Sequence, residues 1–167
     1  MKINYRQQIN YNSINFLDWK FSFFCSDKGL IFTTFKNDPI SEFSKWSGIS
    51  EAVKKENIEI NAAFLDYFSG KNNNPSVSID WDFWRFSNFQ ILVLKKLIGI
   101  TKPVSYIEFA NQIGNQKAVR SVATAVGKNP FEIVVPCHRI ITKSGEIGQY
   151  RDGSNIKRAL LQLERQL

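Results

Sequence analysis

The run Val134-Val135-Pro136-Cys137-His138-Arg139-Ile140-Ile141 sets the only histidine of the chain beside one of its two cysteines. A thiol attacks as its thiolate, and a neighbouring imidazole is a common means of making thiolate available near neutral pH. Pro136 fixes φ just before the cysteine, so the backbone is expected to turn sharply as it leaves an apolar strand. Successive side chains of a strand point to opposite faces. A direct Cys137–His138 hydrogen bond is therefore not expected, and a bridging water is the better link. The plainer alternative is a buried structural cysteine beside a satisfied histidine, since most free cysteines are inert core residues. Two cysteines and one histidine leave too few nitrogen and sulfur ligands for a four-coordinate zinc site, and no cofactor is expected. They cannot build a disulfide scaffold either, which fits a reducing compartment.

The elements that must position this pair are constrained by the totals. With 167 residues, 43% of them hydrophobic and 14% aromatic, the chain can bury a real core as one domain or as two small ones, and disorder is excluded. Residues 1–16 are polar and carry no apolar run of a signal peptide. The aliphatic run Ile91–Leu94 stops at Lys95-Lys96, far too short to span a bilayer. No membrane partner is expected. Charge is placed unevenly: residues 1–81 hold nine Lys/Arg and nine Asp/Glu, whereas residues 82–167 hold thirteen and six. The whole net charge of +7 thus lies in the second half, as expected of a module that binds a polyanion.

In the first half, the β-prone runs Lys20–Ser26 and Leu30–Phe35 flank Asp27-Lys28-Gly29, a hairpin turn. A short helix is predicted to begin at Pro39. A longer one is predicted over Glu51–Phe68, turning Ala52, Ile58, Ala62, Leu65 and Phe68 to a core and stopping at Gly70. The polar loop Lys71–Pro75 opens the stretch, ending by Trp84, in which the domain junction is expected; it is set between residues 80 and 81.

The second half predicts a helix over Phe89–Ile98 capped by Asn88. Ser105 and Glu108 have capping-box spacing, and the helix they open should end near Gly114. A third helix is predicted over Gln116–Gly127, completing a helix-turn-helix outline. Val119, Val122, Ala123 and Val126 should face its core. Lys117, Arg120, Ser121, Thr124 and Lys128 form the opposite stripe, which is basic or small and free of carboxylates. Such a stripe can approach a nucleic-acid groove closely, or be an ordinary solvated face.

Taken in order, Ser105-Tyr106, Lys117-Ala118-Val119-Arg120-Ser121-Val122, Asn129-Pro130, Val135-Pro136-Cys137-His138-Arg139-Ile140 and Gly148-Gln149-Tyr150 resemble the O6-alkylguanine-DNA alkyltransferase family. Lys157, Leu160-Leu161 and Glu164 continue the match, which covers about residues 84–167. The resemblance implies an α/β (α+β) protein of two small domains. Residues 1–80 would form a ribonuclease-H-like sheet-and-helix domain. Residues 81–167 would form a winged-helix-like helix-turn-helix domain carrying the active cysteine.

The same resemblance implies the roles. Cys137 would accept the alkyl group, His138 would deprotonate it through water, and Glu164 would orient the imidazole. On the last helix Ile156, Leu160 and Glu164 share one face, and a carboxylate on a core-facing edge needs a partner. Asn129 would hold the turn under the cysteine, and Tyr106 would assist proton transfer to the leaving guanine. Arg120 would fill the stack after the damaged nucleotide rotates out, with Lys117, Ala118, Ser121, Thr124 and Lys128 also meeting DNA. The alkylguanine pocket would comprise Tyr106, Ile140, Gly148, Gln149, Tyr150 and Arg151, with the main-chain amide near Arg151 meeting O6 and the carbonyls of Cys137 and Ile140 meeting the exocyclic amine. Glu132, Arg151-Asp152 and Ala123 depart from the usual pattern.

The implied activity is direct, stoichiometric and irreversible alkyl transfer from O6-alkylguanine, and by extension O4-alkylthymine, in double-stranded DNA to Cys137. The protein would act as a monomer in the cytoplasm, or in the nucleus of a eukaryotic cell. Three other classes stay open on residues alone. They are a non-catalytic module that binds alkylated DNA, a Cys-His hydrolase, and a redox-sensing transcription factor that would need Cys25 as a resolving thiol.

Overall fold

The computed structural model describes residues 7–167; the first residues of the polar N-terminal run lie outside it. The chain divides into two compact units, one ending at Arg85 and the other spanning Phe86–Leu167.

The first unit is a mixed sheet with helices. Strands β1 (Asn10–Phe16), β2 (Trp19–Cys25) and β3 (Leu30–Thr34) run antiparallel in sequence, and β4 (Val53–Lys54) joins β1 in parallel, giving the order β3-β2-β1-β4. The hairpin expected at Asp27–Gly29 joins β2 to β3, with Gly29 at φ 146° and the Ser78 carbonyl against the place of a Cβ. Strand β2 is buried over Phe21–Cys25, as a strand covered on both faces should be. Phe21 and Phe23 pack on Phe64, with centroids 4.8 and 5.1 Å away. Phe24 stacks on Phe43 at 4.5 Å. The two rings belong to α2 (Ile58–Phe68) and α1 (Pro39–Ser47), so the alternation of β2 selects one helix per face.

Three expectations change here. Strand β1 lies in the run read only as polar; its serine Ser13 bonds across to Ser22 Oγ at 2.8 Å. Helix α2 begins at Ile58 rather than Glu51, because Val53–Lys54 is drawn into the sheet and Asn57 caps the helix through Ile60 N. Its buried face is Ile60, Phe64 and Tyr67, whereas Ile58 is 78% and Leu65 48% exposed. The aromatic surface of β2 sets that face. The chain after the asparagine loop also stays with this unit. Ile79 bridges Leu30, Ser26 Oγ donates to Asp80 Oδ2 at 2.6 Å, and Trp84 Nε1 donates to the Ile31 carbonyl at 2.7 Å. The division therefore falls after Arg85 rather than after residue 80.

The second unit is mainly helical. Helix α3 (Asn88–Ile98) is capped by Ser87, not Asn88. Helix α4 (Tyr106–Gln112) opens on a complete Ser105–Glu108 capping box. It closes with Gly114 at φ 73° and the bonds Gly114 N→Asn111 O and Asn115 N→Ala110 O, a Schellman ending that only glycine adopts cheaply. The third helix starts as a 3-10 turn, Gln116–Ala118, and becomes α-helical as α5 (Val119–Gly127). Val122, Ala125 and Val126 are its buried residues; Val119 and Ala123 are half-buried. No strand leads directly into Cys137. Residues 131–135 are turn, and Cys137–Arg139 is a 3-10 turn leading into β6 (Ile140–Ile141). Helix α6 (Ser154–Leu163) closes the unit over Ile156, Leu160 and Leu161.

Candidate active site

Two short elements bring the reactive residues together. Strand β5 (Val104–Ser105) pairs in parallel with β6, Val104 opposite Ile140 and Ser105 opposite Ile141. That pairing sets Tyr106, the first residue of α4, beside the turn that carries Cys137. The turn is strained and buried: Ile133 is 1% exposed and holds φ at 76°, a left-handed conformation that is costly for a β-branched residue. Asn129 ties its two ends. Its Nδ2 donates to the Val135 carbonyl at 2.8 Å and to Cys137 Sγ at 3.2 Å, while its Oδ1 accepts from Phe131 N at 2.9 Å.

His138 is fully buried. Its Nε2 lies 2.7 Å from Glu164 Oε1, and its Nδ1 has no hydrogen-bond partner among the described residues. Glu164 stands just past α6 as its C-cap, still with helical backbone angles, so it keeps the facing expected of it on the helix. Arg139, unassigned in the sequence reading, grips the same carboxylate: Nε donates to Oε2 at 2.9 Å and Nη2 to Oε1 at 2.9 Å. Its Nη1 donates to the Ile100 carbonyl at 2.6 Å. A buried arginine fork of this kind fixes a carboxylate in both position and charge. The available signal was an arginine set between Val135 and Ile140-Ile141 in an otherwise apolar run.

The electrostatics follow from burial. Burial works against the charge on Glu164, but hydrogen bonds from His138 and Arg139 outweigh it and hold the carboxyl down at about 2. Burial pushes the His138 imidazole below its usual value, only partly offset by Glu164. The imidazole is therefore neutral near pH 7, with Nε2–H donating to Glu164 and the Nδ1 lone pair open to accept a proton. The Cys137 thiol is pushed up to about 11, first by burial and then by Glu132, against the Asn129 hydrogen bond. This corrects the expectation of a ready thiolate: the resting sulfur is a thiol, because an apolar, buried site disfavours its anion.

Above the sulfur lies a cavity of about 480 Å³, lined by Tyr106, Ala123, Thr124, Val126, Gly127, Asn129, Cys137, Gln149, Tyr150 and Arg151. Of the expected pocket residues, Ile140 and Gly148 do not line it. Ile140 is buried with its carbonyl accepting from Lys157 Nζ at 2.5 Å, and the Gly148 carbonyl accepts from Ser154 Oγ at 3.2 Å. Arg151 turns its guanidinium inward to the Asn129 carbonyl and the Glu132 carboxylate; sequence spacing had not linked these residues. Tyr106 is half-buried, and burial followed by the nearby thiol raises its phenol above the usual range.

Helix α5 lines the same cavity, and its outer stripe is as expected. Lys117, Arg120, Ser121, Thr124 and Lys128 are all exposed, with Ala118 half-buried. The helix that carries this stripe and a buried sulfur thus border one opening. Among the described residues, no three His, Cys, Asp or Glu side chains gather to hold a metal ion, and no helix is long and apolar enough to cross a membrane.

The chain is similar to known proteins. Residues 88–166 match the family model described as 6-O-methylguanine DNA methyltransferase, DNA binding domain. The inducible methylated-DNA–protein-cysteine methyltransferase of Bacillus subtilis is 34% identical over 163 residues, which cover 93% of this chain and 89% of that protein. The Mycobacterium bovis methylated-DNA–protein-cysteine methyltransferase is 45% identical over 101 residues, 59% of either chain. The crystal structure of Mycobacterium tuberculosis O6-methylguanine methyltransferase superposes with a TM-score of 0.78 at 30% identity, covering 95% of this chain and 93% of that one. Mycobacterium tuberculosis OGT in complex with DNA gives 0.77 at 30% identity, over 93% and 92%. With a mixed α/β fold and near full-length similarity, the chain belongs to the methylated-DNA–protein-cysteine methyltransferase family.

Proposed function

We propose that this protein repairs double-stranded DNA by moving the alkyl group of O6-alkylguanine, and of O4-alkylthymine where it fits, onto Cys137 Sγ. The observation that carries the reading is one opening bordered by Sγ, Tyr106 and α5, the helix whose exposed face, with the residues that flank it, carries Lys117, Arg120 and Lys128. An O6-alkyl group within the duplex is out of reach for in-line attack, so the nucleotide must rotate out. That costs a few kcal/mol, least for a badly paired base. Arg120 fills the gap in the stack, while Lys117, Ala118, Ser121, Thr124 and Lys128 meet the backbone.

In the pocket, the thiol proton passes through a water to His138 Nδ1, with Glu164 holding the ring and stabilising the imidazolium. Sγ forms a bond to the alkyl carbon as the carbon–oxygen bond breaks, and the electron pair leaves on the guanine. Tyr106 supplies a proton to that base; its raised phenol is protonated at neutral pH and able to donate. Asn129 holds the sulfur in line, and Gln149, Tyr150 and Arg151 wall the base. The thioether has no exit, so one molecule repairs one lesion.

The working arrangement is a winged-helix-like second domain bearing the chemistry and a ribonuclease-H-like first domain, acting as a monomer in the cytoplasm. A redox role for Cys25 is disfavoured, because burial pushes its thiol up to about 12. Intact mass after mixing with an oligonucleotide containing O6-methylguanine should rise by one methyl group on Cys137, and Cys137→Ala should show no rise. Repeated turnover points instead to a hydrolase, and binding without a mass change to a passive reader.

A further inference from the structure

We propose that Glu132 and Arg151 are positioning residues for the alkyl transfer, a clasp that locks the pocket loop onto the turn beneath Cys137. The inference rests on the transfer reaction proposed above. Arg151 belongs to the loop between β6 and α6 and lines the cavity. Its Nη1 donates to the Asn129 carbonyl at 2.8 Å, its Nη2 to Glu132 Oε2 at 2.5 Å, and its Nε lies 3.6 Å from Asp152 Oδ1. Asn129 in turn holds Sγ. A continuous path of polar contacts therefore runs from the Glu132 carboxyl through the guanidinium and Asn129 to the sulfur.

The path joins two segments that lack regular structure: residues 129–136, strained at Ile133, and residues 142–153. Glu132 is fully buried, and the Arg151 side chain is 12% exposed. Burying such ionisable groups is unfavourable compared with apolar side chains of similar volume, and a gain in conformational specificity is one reason for their retention. Here the specificity gained is alignment of the wall that holds the base with the atom that attacks it.

Charge gives the clasp a signature that a packing role lacks. The titratable groups that act on the thiol are Tyr106 from α4, Glu132 from the turn, Tyr150 and Arg151 from the loop, and Lys157 from α6, with Asp152 acting on Glu132, Tyr150 and Arg151. Glu132 disfavours the thiolate, whereas Arg151 favours it. Burial, reinforced by Asp152 and opposed by Arg151, pushes Glu132 up to about 8. Its repulsion of the sulfur therefore develops only above that pH.

The test measures methyl transfer by intact mass against pH, for wild type, Glu132→Gln, Arg151→Met and Arg151→Lys. The substrates are an O6-methylguanine oligonucleotide and the free O6-methylguanine base, and folding is checked by thermal melting. Arg151→Met should lose roughly tenfold to a hundredfold in rate on both substrates, and the alkaline rise in rate that accompanies ionisation of the Cys137 thiol should move to higher pH, since Arg151 favours the thiolate. Arg151→Lys, which keeps the charge and loses the fork, should lose rate without that displacement. Glu132→Gln keeps an acceptor for the fork and loses the titration, so its rate relative to wild type should rise as pH passes about 8. Folded variants with wild-type rates and profiles overturn the clasp, as does movement of the alkaline rise in the same direction for Glu132→Gln and Arg151→Met. If Arg151→Met does not fold, the Glu132→Gln profile decides. Wild-type protein that gains no methyl group sinks the transfer reading itself, a result distinct from variants that match an active wild type.

Discussion

At the scale of single residues, the site divides proton transfer between a sulfur that holds its proton tightly and a ring that accepts one only above its own lowered pKa. Burial sets both tendencies, and Glu164 keeps the ring's accepting nitrogen turned from its own oxygen by engaging Nε2. The pH dependence follows in sign. His138 loses its accepting lone pair only as pH falls through a value below 6.5. The transfer rate constant should therefore be level through neutrality and fall on the acid side of 6.5. A midpoint above 6.5 in rapid-quench measurements would exclude His138 as the acceptor. Glu164 makes a stability statement of its own. Its folded pKa, about 2, lies below the ordinary 4.5. The carboxylate thus stabilises the fold fully above 4.5, and that contribution is lost as pH falls through about 2. Glu164→Gln leaves Arg139 buried against a neutral amide and should cost about 3 kcal/mol at pH 7. Urea unfolding should show the deficit shrinking between pH 4.5 and 2. Cys137, His138 and Glu164 were legible because their types and order suffice to name them. The Glu132–Arg151 contact was not, since it joins residues nineteen positions apart across two loops, where no periodicity operates.

At the scale of elements, α5 links the opening to the surface. Its inner side gives Ala123, Val126 and Gly127 to the pocket, and its outer side gives Arg120 and Lys128 to solvent. The Arg120 side chain is exposed and Arg120 does not line the pocket, so its effect must depend on duplex substrate. Arg120→Ala should slow repair of an O6-methylguanine duplex by roughly tenfold or more, at the scale of an unstacking penalty of a few kcal/mol. Reaction with the free base should change less than twofold. Equal loss on both would assign Arg120 to the fold. The second unit was largely legible because its boundaries are chemical: the capping box at Ser105 and the left-handed Gly114 close α4 as their side chains dictate. The first unit was less so. Asn10, Asn12 and Asn15 disfavour a strand locally, yet β1 forms because its partner β2 and its neighbour β4 satisfy its backbone. The buried face of α2 was likewise misread, since nothing local to Ile58–Phe68 tells that Phe21 and Phe23 will meet Phe64.

At the scale of the whole molecule, the charge lies where the chemistry does. Residues 82–167 hold the entire net +7, and two carboxyl groups of that half are turned inward, Glu164 to His138 and Arg139 and Glu132 to Arg151. The cations Lys117, Arg120 and Lys128 are left on an exposed stripe that has no acidic side chain. Binding by such a stripe displaces counterions from the duplex, and each phosphate neutralised contributes about 0.9 to the slope of log affinity against log salt. Two backbone contacts, from Lys117 and Lys128, then weaken duplex binding about 10-fold over a fourfold rise in salt. At duplex concentrations below saturation, the observed methyl transfer should fall by that factor between roughly 50 and 200 mM salt, the range over which the effect is ordinarily steep. The free base carries no phosphate and enters a pocket whose charges are buried and poorly screened, so its reaction should change little over the same range. Lys128→Ala should lower the duplex slope by about 0.9 and leave the free-base line flat. A salt response shared by both substrates would place the electrostatics in the thiol's own surroundings rather than on α5.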